Sequence, residues 1–186
     1  MQIVEGDFLD TDIRSLTGPD FLLIGNVPYY ITTPILFKAL EPPIPRRSVF
    51  LVQREVADRL VAGAGTENYG ALSVNVAVVA TVENVLSVPA RAFRPPPKVE
   101  SAVVRLEPLS RPLVPLESLA GFRTFVQAAF GQRRKQMVRV LRGVRNLSAE
   151  KAASFLEQTG IDPTARPEVV SPEKFAALFA AVRQGE

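Results

Sequence analysis

Residues 20–34 read DFLLIGNVPYYITTP, an apolar run that stops at Gly25 and is followed by an amide, a proline and two tyrosines. Phe21–Ile24 form a continuous apolar segment bounded by Asp20 and Gly25, which predicts a short strand covered on both faces of a sheet. Ligands of open α/β sheets gather just beyond the carboxyl ends of such strands, so Asn26–Tyr29 is a candidate site on position alone. Thr32-Thr33-Pro34 then opens a helix through Leu40, with threonine as cap and proline inside the first turn, and the proline-rich Glu41–Pro45 ends it.

Working outward, Met1–Glu5 reads as a strand running into the acidic, glycine-containing loop Gly6–Asp10. Ser48–Val52 is a further apolar strand, and Gln53–Ala62 has helical spacing with Val56, Leu60 and Val61 on one side. The apolar, alanine-containing run 71–80 predicts a buried helix. Val82–Val88 and Val99–Leu106 alternate as strands on either side of the proline-rich PARAFRPPPK at 89–98. Strand, helix, strand, helix and a closing strand pair imply an α/β sheet. Three prolines between Pro108 and Pro115 mark a linker, beyond which 116–130, 132–144, 148–159 and 171–183 carry helical patterns. The predicted organisation is an α/β domain over 1–110 and a small all-α domain over 111–186.

With 186 residues, 47% of them hydrophobic, the chain is long enough for one good core or a domain with an appendage. It has no cysteine and no histidine, which excludes disulfides, thiol nucleophiles, cysteine or histidine metal sites and histidine-based acid/base schemes. No apolar run approaches the roughly 20 residues of a membrane span, and Met1–Glu5 lacks a signal-peptide layout. A cytoplasmic, monomeric protein without a membrane partner is the expectation. The formal charge of +3 is unevenly spread: residues 1–110 hold 10 basic against 12 acidic side chains, residues 111–186 hold 12 against 7, and 118–149 hold no acid at all.

The pattern Asn26-Val27-Pro28-Tyr29 suits a planar amino group on an aromatic ring. Such an amine is a poor nucleophile because its lone pair is delocalised into the ring. Two acceptors aimed at its hydrogens favour the pyramidal form, and the Asn26 side-chain oxygen and the Val27 carbonyl can supply them, with Pro28 fixing the turn. Tyr29 can stack on the base, and Phe93, on its stiff loop, can close the opposite face of a flipped base. Asp7, at the end of the first predicted strand, can accept from a nucleoside cofactor. Arg123, Arg133, Arg134, Lys135, Arg139, Arg142 and Arg145 fall in the acid-free span, whereas a merely solvated helix face usually mixes both signs; a phosphate-binding surface is the expectation.

GNVPYYITTPILF (25–37), QREVADRLVAGAGTENYGALSV (53–74), VPARAFRPPPKVESAVVRL (88–106) and FGQRRKQ (130–136) together resemble the ribosomal RNA adenine N6-dimethyltransferases, colinearly from Val4 to the tail. The resemblance implies a Rossmann-like methyltransferase sheet followed by a helical domain. It further implies transfer of two methyl groups from S-adenosylmethionine to N6 of each of two adjacent adenosines near the 3' end of small-subunit rRNA. On the matching motifs, Asp7 and Phe8 would contact the cofactor adenosine, and Asn26 would lie between cofactor and amine. Tyr29 and Phe93 would sandwich the base. Lys98 and the basic residues of the helical domain would grip rRNA in an immature small ribosomal subunit, with no metal required.

The family's opening strand and Gly-x-Gly-x-Gly cofactor loop have no counterpart here, and Gly63-Ala64-Gly65 follows a helix instead of a strand. The chain is therefore expected to lack about the first third of the methyltransferase domain. Two other readings are a non-catalytic rRNA-binding or ribosome-assembly module and a related antibiotic-resistance methyltransferase acting on large-subunit rRNA. Tyr30 and the Gln132–Lys135 segment resemble the housekeeping branch more closely.

Overall fold

In the computed structural model, which describes residues 1–132 and 134–184, a four-stranded sheet is built from β1 (Leu22–Asn26), β2 (Arg47–Gln53), β3 (Ala80–Val88) and β4 (Ser101–Pro108) in the order β1-β2-β4-β3. β1 and β2 are parallel and joined through helix α1 (Thr32–Ala39), while β4 pairs antiparallel with β2 and β3. Helices α2 (Arg54–Val61) and α3 (Ala71–Ala77) connect β2 to β3. The chain forms two compact units: Met1–Asp58 with Ala80–Ser110, and Arg59–Val79 with the chain from Arg111 onward.

In the first unit the period of two decides which residues meet. Ser48, Phe50 and Val52 of β2 stand directly opposite Leu106, Val104 and Ala102 of β4, so all six share one face, and all are buried. Gly25 of β1 pairs with Phe50, and a Cβ built at Gly25 would sit 2.8 Å from Cδ1 of that ring. Only glycine lets β1 run this close to the aromatic. α1 buries Ile35, Leu36 and Ala39, the i, i+1, i+4 stripe of an amphipathic helix.

The structure corrects several expectations here. β1 is not covered on both faces: Leu22 and Ile24, which share one face, are 54% and 78% exposed; within the sheet it is an edge strand with one neighbour. A continuous apolar run does not report what packs on either face of its strand. Met1–Glu5 form no strand: they pair with none of the four described strands. Thr32 does not cap α1; Ile31 occupies that position, and the Thr32 hydroxyl donates back to the carbonyls of Pro28 and Tyr29. In α2 the buried positions are Ala57 and Leu60, while Val61 is 45% exposed.

The second unit is helical: α3 packs against α4 (Leu119–Phe130) and α7 (Pro172–Gln184), and α5 (Met137–Arg145) and α6 (Ala149–Gln158) pack on each other. Its core is aromatic. Phe179 meets Phe122 edge-on at 5.4 Å and Phe125 at 5.7 Å, Phe130 lies 5.8 Å from Phe175, and Tyr69 meets Phe130 at 6.0 Å. The buried Tyr69 hydroxyl donates to the Val170 carbonyl at 2.7 Å. Burial first, and the Glu173 carboxylate second, raise its pKa well above that of a free phenol. Ser148 caps α6 by accepting from Lys151 N–H, and Gly160, at φ +65°, follows its end.

The helix expected over 132–144 instead begins at Met137. The Met137 and Val138 amides donate to the carbonyls of Ala165 and Pro163, so the first turn of α5 is tied to a distant loop and does not continue α4. Asn146, in the left-handed conformation at φ 52°, ends it. Among the described residues no helix is long and apolar enough to cross a membrane.

Candidate functional site

The strand register gathers the amine-directed motif and the proline-rich loop at one end of the sheet. β1 ends at Asn26, opposite Leu51 near the end of β2; Gln53, the last residue of β2, pairs with Ser101 at the start of β4, and Ser101 also pairs with Val88 at the end of β3. The loop carrying Phe93 runs from Val88 to Ser101 and so arises at this same edge. Beyond Asn26 the chain turns at Pro28, with φ −60° and ψ 133°, into a 3-10 turn over Tyr29–Ile31. This is the carboxyl edge of the β1–β2 parallel pair, where α/β sheets bind ligands.

Asn26 is exposed, and no described residue hydrogen-bonds its side-chain amide. Its oxygen therefore remains an acceptor for a donor from outside. Val27 beside it is buried, which fixes the backbone that carries the second expected acceptor. Tyr29 is held at both ends. Its carbonyl accepts from the Thr32 hydroxyl, and its own hydroxyl lies 2.6 Å from Ser101 Oγ. Tyr30, in contrast, is 86% exposed.

Ser101 is fully buried, and the segment that delivers it is pinned from α2. The Arg54 amide donates to the Glu100 carbonyl at 3.0 Å, and the Arg54 guanidinium meets the Glu100 carboxylate at 2.6 Å. That hydrogen bond, with the accompanying charge attraction, raises the Arg54 pKa further. Neither Ser101 nor Arg54 is singled out by the sequence reading. Ser101 lies 72 residues from Tyr29, a separation that no local periodicity reports; its one signal is a hydroxyl at a strand start directly after PPPKVE.

Phe93 is half-buried on the loop at this edge, and Lys98 of the same loop is exposed. Asp7 and Phe8 lie in a separate turn. Asp7 Oδ1 accepts from Leu9 N–H at 2.8 Å, an Asx turn that uses one of the two carboxylate oxygens. Lys38, near the end of α1, fastens the loop by donating to the carbonyls of Leu9 at 2.5 Å and Thr11 at 2.7 Å, with its ammonium 5.6 Å from the centre of the Phe8 ring. No hydrogen bond joins Asp7 or Phe8 to Asn26. An exposed carboxylate beside a half-exposed aromatic ring fits the donor groups and flat face of an adenosine. Among the described residues no cluster of histidine, cysteine or acidic side chains could hold a metal ion.

In the helical unit Arg134 and Lys135 are exposed in the turn before α5, and Arg139 and Arg142 are exposed one turn apart on α5 itself. Arg123 and Arg145 are half-buried; the Arg145 guanidinium lies 5.8 Å from the Phe125 ring centre. Arg133 lies outside the described residues. Arg142 also helps hold the Glu150 carboxyl below its usual range, after the stronger effects of hydrogen bonds from the Glu150 amide and Ser148.

Comparison with known proteins identifies what this arrangement is similar to. The family model described as ribosomal RNA adenine dimethylase matches residues 1–184. Ribosomal RNA small subunit methyltransferase A of Myxococcus xanthus is 39% identical over 98% of the chain, and the protein of the same name from Bacillus mycoides is 39% identical over 97%. The chain spans 65% of the length of each of these relatives. Among solved structures, a dimethyladenosine transferase from Plasmodium falciparum superposes with a TM-score of 0.77 at 24% identity, covering 97% of this chain and 72% of that one. The 23S rRNA methyltransferase ErmE superposes at 0.68 with 27% identity, covering 97% and 71%. Both likenesses support the Rossmann-like methyltransferase fold.

Proposed function

Because this chain belongs to the ribosomal RNA adenine dimethylase family, we propose that it serves S-adenosylmethionine-dependent N6-dimethylation of two adjacent adenosines near the 3' end of small-subunit rRNA. The observation that carries the reading is the pairing of the unengaged Asn26 amide with Tyr29, an aromatic clamped by Ser101 at the same sheet edge. Residues 1–110 supply the catalytic part and 111–186 the rRNA-binding part, acting as a monomer on the immature small subunit.

The chain's own groups do three things in this scheme. Asn26 Oδ1 and the Val27 carbonyl accept the two amine hydrogens, drawing the nitrogen lone pair out of the ring and toward the reacting carbon. Tyr29 and Phe93 hold the extruded base between them, each stack contributing roughly 1–3 kcal/mol. Asp7 and Phe8 hold the cofactor's adenosine, whose sulfonium-linked methyl group is the electrophile when bound. Holding amine and methyl carbon in the right geometry adds to this activation, since it converts a bimolecular step into an effectively unimolecular one.

The test is labelled methyl incorporation into immature small subunits by the full-length gene product, with the rRNA digested to nucleosides. N6,N6-dimethyladenosine is the expected product. Absence of transfer together with absence of S-adenosylmethionine binding in calorimetry would favour a purely structural role in ribosome assembly. Label in large-subunit rRNA would favour the resistance-type activity.

A further inference from the structure

The α4–α5 face of the helical unit holds a groove of about 450 Å³ that the phosphate-binding reading does not use. Its walls are made of small residues. Gly121, Thr124 and Ala128 recur at helical spacing along α4, and Gly143 faces them from α5. Gln132 closes one end, and a Cβ placed on Gly143 would come within 3.4 Å of its amide nitrogen. Arg145 lines the groove with Phe125, the guanidinium lying over a ring that is itself buried.

We propose that this groove receives an unpaired nucleobase of the bound RNA, an inference that rests on the RNA-binding reading of the helical unit and gives it a base-specific component. Three features favour this occupant. The whole span 118–149 lacks acidic side chains, and Arg139 and Arg142 stand exposed on α5, the former one helical turn before Gly143, where they meet the phosphates flanking an inserted base. The planar Arg145 guanidinium, 5.8 Å from the Phe125 ring centre, puts a cationic group of the kind on which unstacked RNA bases are held at the groove wall. The Gln132 amide carries a donor and an acceptor side by side, the pattern that pairs with adenine. The volume falls within the roughly 300–1,000 Å³ range of ligand pockets.

Fluorescence anisotropy with two RNAs of equal charge tests this directly: a hairpin with an adenine-rich loop and a fully paired duplex. Gly143→Leu fills the groove and Arg145→Lys keeps the charge while removing the plane. Each is expected to weaken loop RNA about tenfold, the size of one lost base stack, with less than about a twofold effect on duplex and an unchanged salt slope. Thr124→Leu, on the opposite wall, gives the same readout should circular dichroism show that Gly143→Leu fails to fold. Equal losses on both RNAs, or no loss on either, overturn the proposal. If in that case neutralising Arg134 and Lys135 still weakens both RNAs, the phosphate-binding surface stands without the base pocket. If wild type binds neither RNA, the reading beneath the proposal falls with it.

Discussion

The hydroxyls of Tyr29 and Ser101 lie 2.6 Å apart, joining the turn after β1 to the first residue of β4. This contact links two segments 72 residues apart in the sequence. A net contribution of about 1 kcal/mol is expected for a hydrogen bond of this kind. Thermal unfolding of Ser101→Ala, Tyr29→Phe and the double variant should therefore show a coupling energy of about that size. Strict additivity of the two single effects would mean that the clamp does not operate in solution.

Gly25 leads to a second expectation. Since a methyl group at this position would meet the Phe50 ring at 2.8 Å, Gly25→Ala forces either the edge strand or the ring to move. Overpacking of this type costs about 1–3 kcal/mol. Combining it with Phe50→Leu should recover part of the loss in denaturant unfolding. A neutral Gly25→Ala would show that β1 is free to shift.

Tyr69 gives a pH dependence. Burial raises the folded-state pKa of its phenol, so its contribution to stability is complete below the ordinary value of about 10 and is lost as pH climbs above it. Tyr69→Phe removes the bond to Val170 and should cost about 1 kcal/mol at neutral pH. Above pH 10 the variant's stability should fall less steeply than that of the parent. Parallel pH profiles would contradict the assignment.

The apolar patterns made most of the elements legible: β2, β4, α1, α4, α6 and α7 lie close to where those patterns and, for α6, the Ser148 cap put them. What stayed hidden depended on partners. Ile24 reads as core because its neighbours are apolar, yet nothing in the described chain packs over its face of the sheet and it is 78% exposed. Met1–Glu5 reads as a strand, yet strands exist only in ladders. The tie from Met137 to Ala165 that starts α5 late, and the burial of Ser101 against Tyr29, are contacts between residues far apart in the chain. The end of β1 at Asn26 and the turn through Pro28 were legible because they are set by adjacent residues. The support of that turn by Ser101, Arg54 and Glu100 was not.

The exposed pair Arg134 and Lys135 should act through phosphate charge. Replacing both with glutamine is expected to reduce the slope of log affinity against log salt by about 1.4 for single-stranded RNA. Titrations at several salt concentrations measure this. A slope that does not change would return the two residues to ordinary solvated surface.

Asn26 bears the central claim, that this sheet edge activates an aromatic amine. Single-turnover methyl transfer to immature small subunits by the full-length gene product and its Asn26→Ala variant tests it most directly. The account predicts a rate loss of about 100-fold or more, the size seen when one preorganised polar partner is removed from a reacting centre, with RNA affinity unchanged. Undiminished transfer by Asn26→Ala would contradict it.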